Sequence, residues 1–404
     1  MLNKRFDKNE DRKSTSETKN KSSYFLYLSG KYKKASHIIY MLLAAVFVVT
    51  LVFNSSLLTY TNFNYLFRDI NAAAEAAGDN YNSISYTNDE LRVVKNYRGG
   101  IITVSSTDMA IYTATGRRTL YQTESFVSPQ IATSQKYAVI YEVGEKRYSV
   151  YNSFAKVGGE TLKYPISYAT ACDNGWFAVV TRDAEHASVV YLYDDDMQLR
   201  NTYSFASSNV FSVALNEKGT RIAIFKTETD IDKFSTSVMV CEVGSDKKLF
   251  DAKVSEGLVC GTSFAETGNI QLVCTDGYFM IDSSNGKIIK AHSFDGKPVN
   301  RASVTSQGSA VSLTNNTGAV NNSILVFDEK GKIVYETDIE EGILDMEYYD
   351  EYLFINQGNS ISKINIKNDS VVKTDIFEKG SDIIVYDSNN ILLCCQTKAK
   401  YIKT

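Results

Sequence analysis

The side chains that could perform chemistry are few and widely separated along the chain. The six cysteines are Cys172, Cys241, Cys260, Cys274, Cys394 and Cys395, and the three histidines are His37, His186 and His292. Their spacing contains no C-x-x-C, H-x-H or H-x-x-x-H motif of the kind that holds zinc. No glycine-rich phosphate loop or G-x-S-x-G nucleophile motif occurs. We therefore expect no catalytic, cofactor-binding or metal-binding residues.

One pair of cysteines has a spacing that suits a covalent bond. Cys260 and Cys274 flank a turn at 266–269 and would lie nearly opposite each other on adjacent strands. A disulfide between them is one prediction, and free thiols that pack as small apolar side chains are the alternative. Cys394 and Cys395 are adjacent, but consecutive side chains of a strand point to opposite faces.

Three short polar clusters are the remaining candidates. His186 beside Asp183 and Glu185 is the best local acid/base group, and an exposed loop histidine is the alternative. The clusters 194–196 and 228–232 carry carboxylates that could ligate calcium, although neither has the glycine and distal glutamate of an EF-hand. Solvated hairpin tips are the alternative for both clusters.

The elements that must position these groups are short strands. From about Tyr81, runs of Val, Ile, Tyr, Phe and Thr alternate with Gly, Asn, Asp and Ser turns, which is typical of an all-β domain. One apolar strand recurs eight times, at Ile101–Val104, Ala138–Tyr141, Phe177–Val180, Ile222–Phe225, Gln271–Cys274, Ala310–Leu313, Tyr352–Ile355 and Ile391–Cys394. The seven intervals average about 41 residues. Four short strands in about 40 residues make one β-propeller blade.

The pattern also predicts how the blades pack and close. The recurring strand is almost continuously apolar and should be buried between blades, whereas the strand that follows it alternates and should be half-exposed. The last unit lacks an outer strand, and residues 82–88 could supply it and leave no open sheet edge. We favour eight blades closed in this way; seven blades and an open solenoid are the alternatives.

An uncharged, mostly apolar stretch precedes the strands. It runs from Ile38 to Leu58, and its 21 residues would form about 31 Å of helix, close to the thickness of a bilayer core. A single-pass membrane helix is the prediction. A cleaved signal peptide and a buried core helix are the alternatives.

Charge predicts the orientation of that helix. Residues 1–34 carry ten basic and four acidic side chains (+6), whereas the remainder carries 33 basic and 43 acidic ones (−10). The positive-inside rule then places the N-terminus in the cytoplasm and the body outside. We predict a disordered basic head at 1–35, a transmembrane signal-anchor helix at 36–60, a stalk helix at 61–79 and the propeller at 80–404.

Several segments carry a resemblance to a known family. They are Pro129–Gly144, Tyr148–Tyr151, Ile166–Ala171, Gly175–Thr181 and Ser207–Ile224. The chain resembles the domain-of-unknown-function family 5711 of clostridial and related Gram-positive bacteria. The resemblance implies a single-pass protein with an extracytoplasmic propeller of the quinoprotein or WD40-like kind, and it implies no activity.

The expected function follows from these properties. The quinone-dependent dehydrogenases of similar architecture depend on repeated tryptophans, and this chain has only Trp176. An acidic body argues against binding to nucleic acid. The leading hypothesis is a non-catalytic scaffold that contacts envelope proteins or wall polymers, for which the 27 tyrosines suit exposed binding loops. The alternatives are an enzyme with an unrecognised site in the channel and a single-pass sensor of an extracellular ligand.

Overall fold

A computed structural model describes residues 29, 31–49, 83–86, 91–230, 233–245, 247–314 and 321–404. One helix, α1 (Lys31–Val49), lies near the N-terminus, and none of it is buried. Its 19 residues have the length and composition of a membrane anchor or a signal sequence. It begins before the predicted start at residue 36. The predicted head up to residue 28, the end of the predicted span and the stalk helix at 61–79 lie outside the described residues.

The other elements in the described part of the chain are 32 strands. The first eight are β1 (Ile84–Ser85), β2 (Leu91–Tyr97), β3 (Gly100–Ser105), β4 (Asp108–Tyr112), β5 (Arg118–Thr123), β6 (Pro129–Thr133), β7 (Ala138–Glu142) and β8 (Arg147–Tyr151). The next eight are β9 (Lys156–Thr161), β10 (Ile166–Ala171), β11 (Phe177–Thr181), β12 (Ser188–Tyr193), β13 (Leu199–Phe205), β14 (Asn209–Leu215), β15 (Arg221–Asp230) and β16 (Lys233–Glu242).

The second half of the chain repeats the arrangement. The strands are β17 (Lys248–Ser255), β18 (Val259–Phe264), β19 (Ile270–Cys274), β20 (Gly277–Ile281), β21 (Ile288–Ser293), β22 (Val299–Val304), β23 (Gly308–Thr314) and β24 (Asn322–Asp328). The last eight are β25 (Ile333–Ile339), β26 (Asp345–Tyr349), β27 (Tyr352–Asn356), β28 (Ser360–Asn365), β29 (Ser370–Asp375), β30 (Gly380–Val385), β31 (Asn390–Cys395) and β32 (Lys398–Lys403).

These strands form eight antiparallel sheets of four strands, which are the blades of an eight-bladed propeller. Blade 1 is β2 to β5, and each following blade takes the next four strands, up to β26–β29 in blade 7. The first strands of adjacent blades contact one another, so they are the innermost strands and line the central channel. The prediction of eight blades is confirmed.

Blade 8 closes the ring with both ends of the β domain. It contains β30, β31 and β32, and β1 is its outer strand. Ile84 pairs with Ala399 and Ser85 pairs with Lys398. Ile84 also packs against Ile101 of blade 1, which joins the last blade to the first. The predicted closure by the segment around residues 82–88 is therefore confirmed.

The core is divided into eight clusters, and each cluster lies between two adjacent blades. Both faces of the middle strands are covered because a blade packs against a neighbour on each side. The recurring apolar strand is buried as predicted, for example in all five residues of β7. The strand after it was predicted to be half-exposed, and this is wrong: all five residues of β4 are buried as well. Alternation occurs instead in the outermost strands, such as β25.

The two ends of the ring carry different connections. Because the strands of a blade are antiparallel, the linkers between blades lie at the same end of the ring as the turns between second and third strands. We call this end of the ring the linker face. The described linkers are 124–128, 162–165, 206–208, 256–258, 294–298, 340–344 and 376–379. The opposite end, the turn face, carries the turns between first and second and between third and fourth strands.

Candidate functional site

The channel mouth on the linker face is shaped by a ring of β-bulges. Six of the eight innermost strands bulge near their first residues, at Arg92, Ser167, Phe211, Cys260, Asn300 and Ser381. Four of these side chains, Ser167, Phe211, Cys260 and Ser381, are exposed. A bulge re-aims side chains, and bulges concentrate at the rims of barrels and beside functional sites. The channel mouth is therefore the candidate functional site.

Large apolar side chains are exposed around that mouth. Six of them belong to the linker face: Val127, Val143, Phe211, Phe234, Leu344 and Phe377. Phe377, in the linker to blade 8, is 96% exposed, and Val127, in the linker to blade 2, is 67% exposed. Near the strand ends of the turn face, the exposed apolar residues are Phe154, Leu199, Ile288, Val334 and Val371, each between 38% and 56% exposed. The two most exposed apolar side chains of the described propeller, Val127 and Phe377, therefore lie on the linker face, and exposure of this degree marks a contact surface.

Two of these residues share a cleft with a partly apolar wall. The cleft has a volume of about 470 Å³, and Val143, Tyr168, Val210 and Phe211 contribute to its lining. Val143 and Ile166 form a parallel bridge that joins blades 2 and 3 beside it. The cleft therefore has walls that are fixed by backbone hydrogen bonding. We call it the linker cleft.

Two carboxylates lie on the channel wall of blade 7. Asp345 accepts a hydrogen bond from the Ile383 backbone N–H at 2.8 Å, and Glu347 accepts one from Val385 at 2.9 Å. Burial raises the pKa of both carboxyl groups, and that of Glu347 rises to about 7. Both side chains brace β26 against the neighbouring innermost strand, β30. Two channel carboxylates with raised pKa are the feature that would favour the enzyme hypothesis.

His186 borders the linker cleft from the loop 182–187. Its ring Nδ1 lies 2.9 Å from Asp183, whose carboxylate also accepts hydrogen bonds from the backbone N–H groups of Glu185 and His186. These hydrogen bonds lower the pKa of Asp183, and the one from the Glu185 N–H contributes most to the shift. The carboxylate therefore shapes the loop and orients the imidazole. His37 in α1 and His292 in β21 belong to other elements.

The predicted calcium candidates occupy hairpins. Asp194 accepts hydrogen bonds from the backbone N–H groups of Asp196 and Gln198, and Asp195 forms a 2.8 Å ion pair with Lys136. These contacts are those of a capped turn. In the cluster 228–232, Glu228 accepts a hydrogen bond from Ser208 at 2.7 Å, and Asp232 lies outside the described residues. Among the described residues no three His, Cys, Asp or Glu side chains are arranged to hold a metal ion.

The two cysteines of the predicted disulfide meet at a bulge. Cys274 of β19 pairs with Val259, and Cys260 is the extra residue of β18 beside that pair. Cys274 is buried in the core between blades 4 and 5, whereas Cys260 is exposed at the channel mouth. Both thiols are free in the structure, and burial raises the pKa of Cys274 to about 12. The disulfide stays a prediction.

A thiol count will decide between the two states. With free thiols, a reagent such as Ellman's should label one cysteine rapidly in the native protein, Cys260, because the other five are buried. All six should react after denaturation. A disulfide would instead give no rapidly labelled thiol and four after denaturation without reductant. Cys260→Ser, which should abolish the rapid reaction, is the control.

The vicinal pair behaves as predicted. Cys394 packs with Ile84 and Ala110 between blades 8 and 1, and Cys395 packs with Phe354 between blades 7 and 8. Their side chains therefore lie on opposite faces of one strand. The two thiols belong to different inter-blade cores.

Most tyrosines of the described propeller lie in strands rather than in exposed loops. Tyr97, Tyr151 and Tyr278 are among the largest fully buried side chains, and the exposed aromatics of the linker face are phenylalanines. Sequence reasoning also missed the bulge ring. The sequence does contain a signal for the bulges. In several innermost strands the second or third residue is polar or, at Phe211, exposed, and it interrupts the apolar start of the strand.

Similar solved structures share the fold at low identity. The computationally designed protein Ika8 matches with a TM-score of 0.57 and 10% identity, covering 80% of this chain and 98% of its own. BamB from Moraxella catarrhalis matches with a TM-score of 0.55 and 12% identity, and the match covers 80% of this chain and 96% of the BamB chain. Chaetomium thermophilum Sqt1, solved bound to the N-terminus of the ribosomal protein L10, matches with a TM-score of 0.57 and 10% identity. The match covers 80% of this chain and 98% of the Sqt1 chain. No curated protein matches the chain by sequence.

One sequence family accounts for the whole β domain. Its description is "Family of unknown function (DUF5711)", and its match covers residues 78–404, from before the closing strand to the last residue of the propeller. The chain therefore belongs to the DUF5711 family, as its resemblance at Pro129–Gly144 and the other segments indicated.

Proposed function

We propose that this protein is a non-catalytic binding module whose propeller is tethered to the cell membrane by α1. In this proposal the N-terminus lies in the cytoplasm of a Gram-positive cell and the propeller lies outside. The charge asymmetry between the head and the body supports that orientation. The side chains of α1 support the tether, because residues such as Leu42 and Phe47 are more than half exposed and need an apolar surrounding.

The observation that carries the proposal is the high exposure of Val127 and Phe377 on the linker face. The linker face displays exposed apolar side chains around a ring of bulges, whereas carboxylates such as Asp194 and Asp328 of the turn face cap their own turns. Exposed Phe and Val side chains cost solvation free energy unless a partner covers them. We infer that the linker cleft and the channel mouth are the binding surface.

The partner that fits the exposed apolar side chains is a polypeptide segment with apolar side chains of its own. The described linkers carry six carboxylates, on Glu124, Glu256, Asp295, Glu340, Glu341 and Glu378, against three lysines, Lys163, Lys297 and Lys379. Four of these carboxylates, on Glu124, Glu256, Glu341 and Glu378, already pair with basic side chains of the strands, so apolar contact rather than charge defines the partner. Sqt1, a propeller of similar fold, was solved with a protein N-terminus bound. A propeller of similar fold therefore accommodates a polypeptide segment.

Site-specific photocrosslinking in intact cells will test this proposal. A photoreactive amino acid at Phe211 or Phe377 should capture one reproducible envelope protein, because both side chains point into solvent on the linker face. The same amino acid at Phe154 is the matched control, since this residue is 40% exposed on the turn face. Equal capture from all three positions, capture of wall polymer alone, or no capture from Phe211 and Phe377 would contradict the proposal.

A second candidate function has one observation in its favour. The raised pKa of Glu347, about 7, suits general acid–base catalysis, and Asp345 lies two residues away on the same strand. Both oxygens of Asp345, however, accept backbone hydrogen bonds, from Met346 and Ile383. Bracing of the channel wall accounts for these contacts, so we propose binding rather than catalysis.

A further inference from the structure

A second concave site lies on the turn face, away from the linker cleft. It spans blades 5 to 7 and has a volume of about 480 Å³. Five carboxylates line it, those of Glu266, Asp328, Glu329, Asp350 and Glu351. We call it the acidic cleft. Lys367 is the one cationic side chain among the described residues of its lining, and it pairs with Glu351.

Hydrogen bonds between blades hold the walls of the acidic cleft in place. The Asp350 backbone N–H donates to the side-chain oxygen of Gln307 at 2.8 Å. Thr267 donates through its hydroxyl to the Glu329 carbonyl at 3.2 Å, and the Glu266 N–H donates to the Ser306 carbonyl at 2.8 Å. The turns that carry Glu266, Glu329 and Asp350 are therefore held in place. An arrangement of this kind is preorganised for a cation.

Tyr348 is an independent indication of a ligand. The residue is 5% exposed, its ring packs in the core between blades 6 and 7, and it contributes to the lining of the cleft. Its hydroxyl has no hydrogen-bond partner among the described residues. Burial, and then the charges of Asp350 and Glu329, raise the pKa of this hydroxyl to about 12. The hydroxyl is not one of the fully buried polar atoms and opens into the cleft, where a ligand can supply the hydrogen-bond partner that the described protein groups do not.

The ring of Tyr348 is held firmly in that position. A Cβ atom at Gly308 would lie 2.8 Å from the ring atom Cε1, so the ring rests directly against the glycine backbone. The hydroxyl therefore has a fixed direction into the cleft. A ligand that supplies an N–H donor would meet both this oxygen and the surrounding carboxylates.

The carboxylates are placed for an extended organic cation. No three acidic side chains of the described chain are close enough together to chelate a metal ion. A primary ammonium group offers three N–H donors and can bridge a carboxylate and a hydroxyl. Several such groups on one chain would match several separated carboxylates, and the volume is that of a small-molecule site. We propose that the acidic cleft binds a free linear polyamine through its alkylammonium groups, with Tyr348 accepting one of their hydrogen bonds.

Calorimetry on the full chain in non-ionic detergent will test this site, with spermine as the probe. We expect a dissociation constant below about 1 mM, and roughly fivefold weaker binding for Glu329→Gln, because each partly exposed ion pair contributes up to about 1 kcal/mol. Tyr348→Phe should weaken binding several-fold while leaving the unfolding temperature nearly unchanged. Lys367→Gln removes a competing cation and should tighten binding.

Glu217→Gln is the matched control, because Glu217 is exposed on the same face outside the cleft. It should bind spermine as the wild type does. Equal affinities of the Glu329→Gln and Glu217→Gln variants would overturn the proposal, as would displacement of spermine by magnesium at equal ionic strength. Tighter binding of a tetralysine peptide than of spermine would overturn the assignment to a free polyamine. None of these results depends on the partner of the linker face.

Discussion

Replacing Ile84 by aspartate should lower the free energy of unfolding by about 3–5 kcal/mol, since the change removes a buried apolar side chain and puts an unpaired charge in its place. Ile84 is 1% exposed and packs in the core that joins blade 8 to blade 1. It is the one fully buried side chain of the short closing strand. Its loss should detach β1 and expose the edge of β32.

Urea unfolding, followed through the fluorescence of the single tryptophan, will measure the change. Trp176 packs between blades 3 and 4, far along the chain from the closure, so its signal reports the whole ring. Hydrogen exchange of the β32 amides will report the closure itself. Ser85→Ala, an exposed neighbour in the same strand, should change stability by less than about 0.5 kcal/mol. Equal stability of the two variants would show that the ring does not depend on β1.

Glu347→Gln should stabilise the protein at pH 8 and flatten its pH dependence. Burial raises the pKa of Glu347 from 4.5 to about 7, so the folded state holds this proton more tightly than the unfolded state. The resulting stability is complete below pH 4.5 and is lost as the pH rises through 7. The shift corresponds to at most about 3 kcal/mol between pH 5 and pH 8. A glutamine oxygen can still accept the hydrogen bond from Val385.

The free energy of unfolding, measured from pH 5 to pH 8, will check this prediction. The wild-type value should fall with rising pH, and the value for the variant should fall less steeply over the same range, because the variant lacks the carboxyl group of Glu347. Glu145→Gln, at an exposed turn of the linker face, is the control and should run parallel to the wild type. Parallel curves for Glu347→Gln and the wild type would show that Glu347 ionises freely.

The repeat and its closure were predictable because each depends on local pattern. Apolar runs such as Phe177–Val180 recur at one spacing, and a last unit without an outer strand needs one from elsewhere. The half-exposed character assigned to β4 was wrong because alternation in sequence does not reveal that blades cover both faces of a strand. Burial there is a property of the ring rather than of the segment.

The candidate sites could not be predicted because they depend on contacts between distant residues. The acidic cleft brings together Glu266 and Glu351, which lie in different blades. How close these two residues lie depends on how the strands between them along the chain pack, and the local sequence pattern does not specify that packing. Cys260 shows the same limit: its position next to Cys274 was predictable, but the bulge that exposes it at the channel mouth was not.

The closing strand has a mechanical consequence. β1 is the strand nearest in sequence to α1, so any force between the helix and the propeller acts first on the pairing of Ile84 and Ser85 with β32. A protease cut between residues 50 and 82 would free an intact ring. A cut between residues 87 and 90 would leave the ring attached to α1 through noncovalent pairing alone. The same two residue pairs that close the propeller would therefore also carry any load between α1 and the ring.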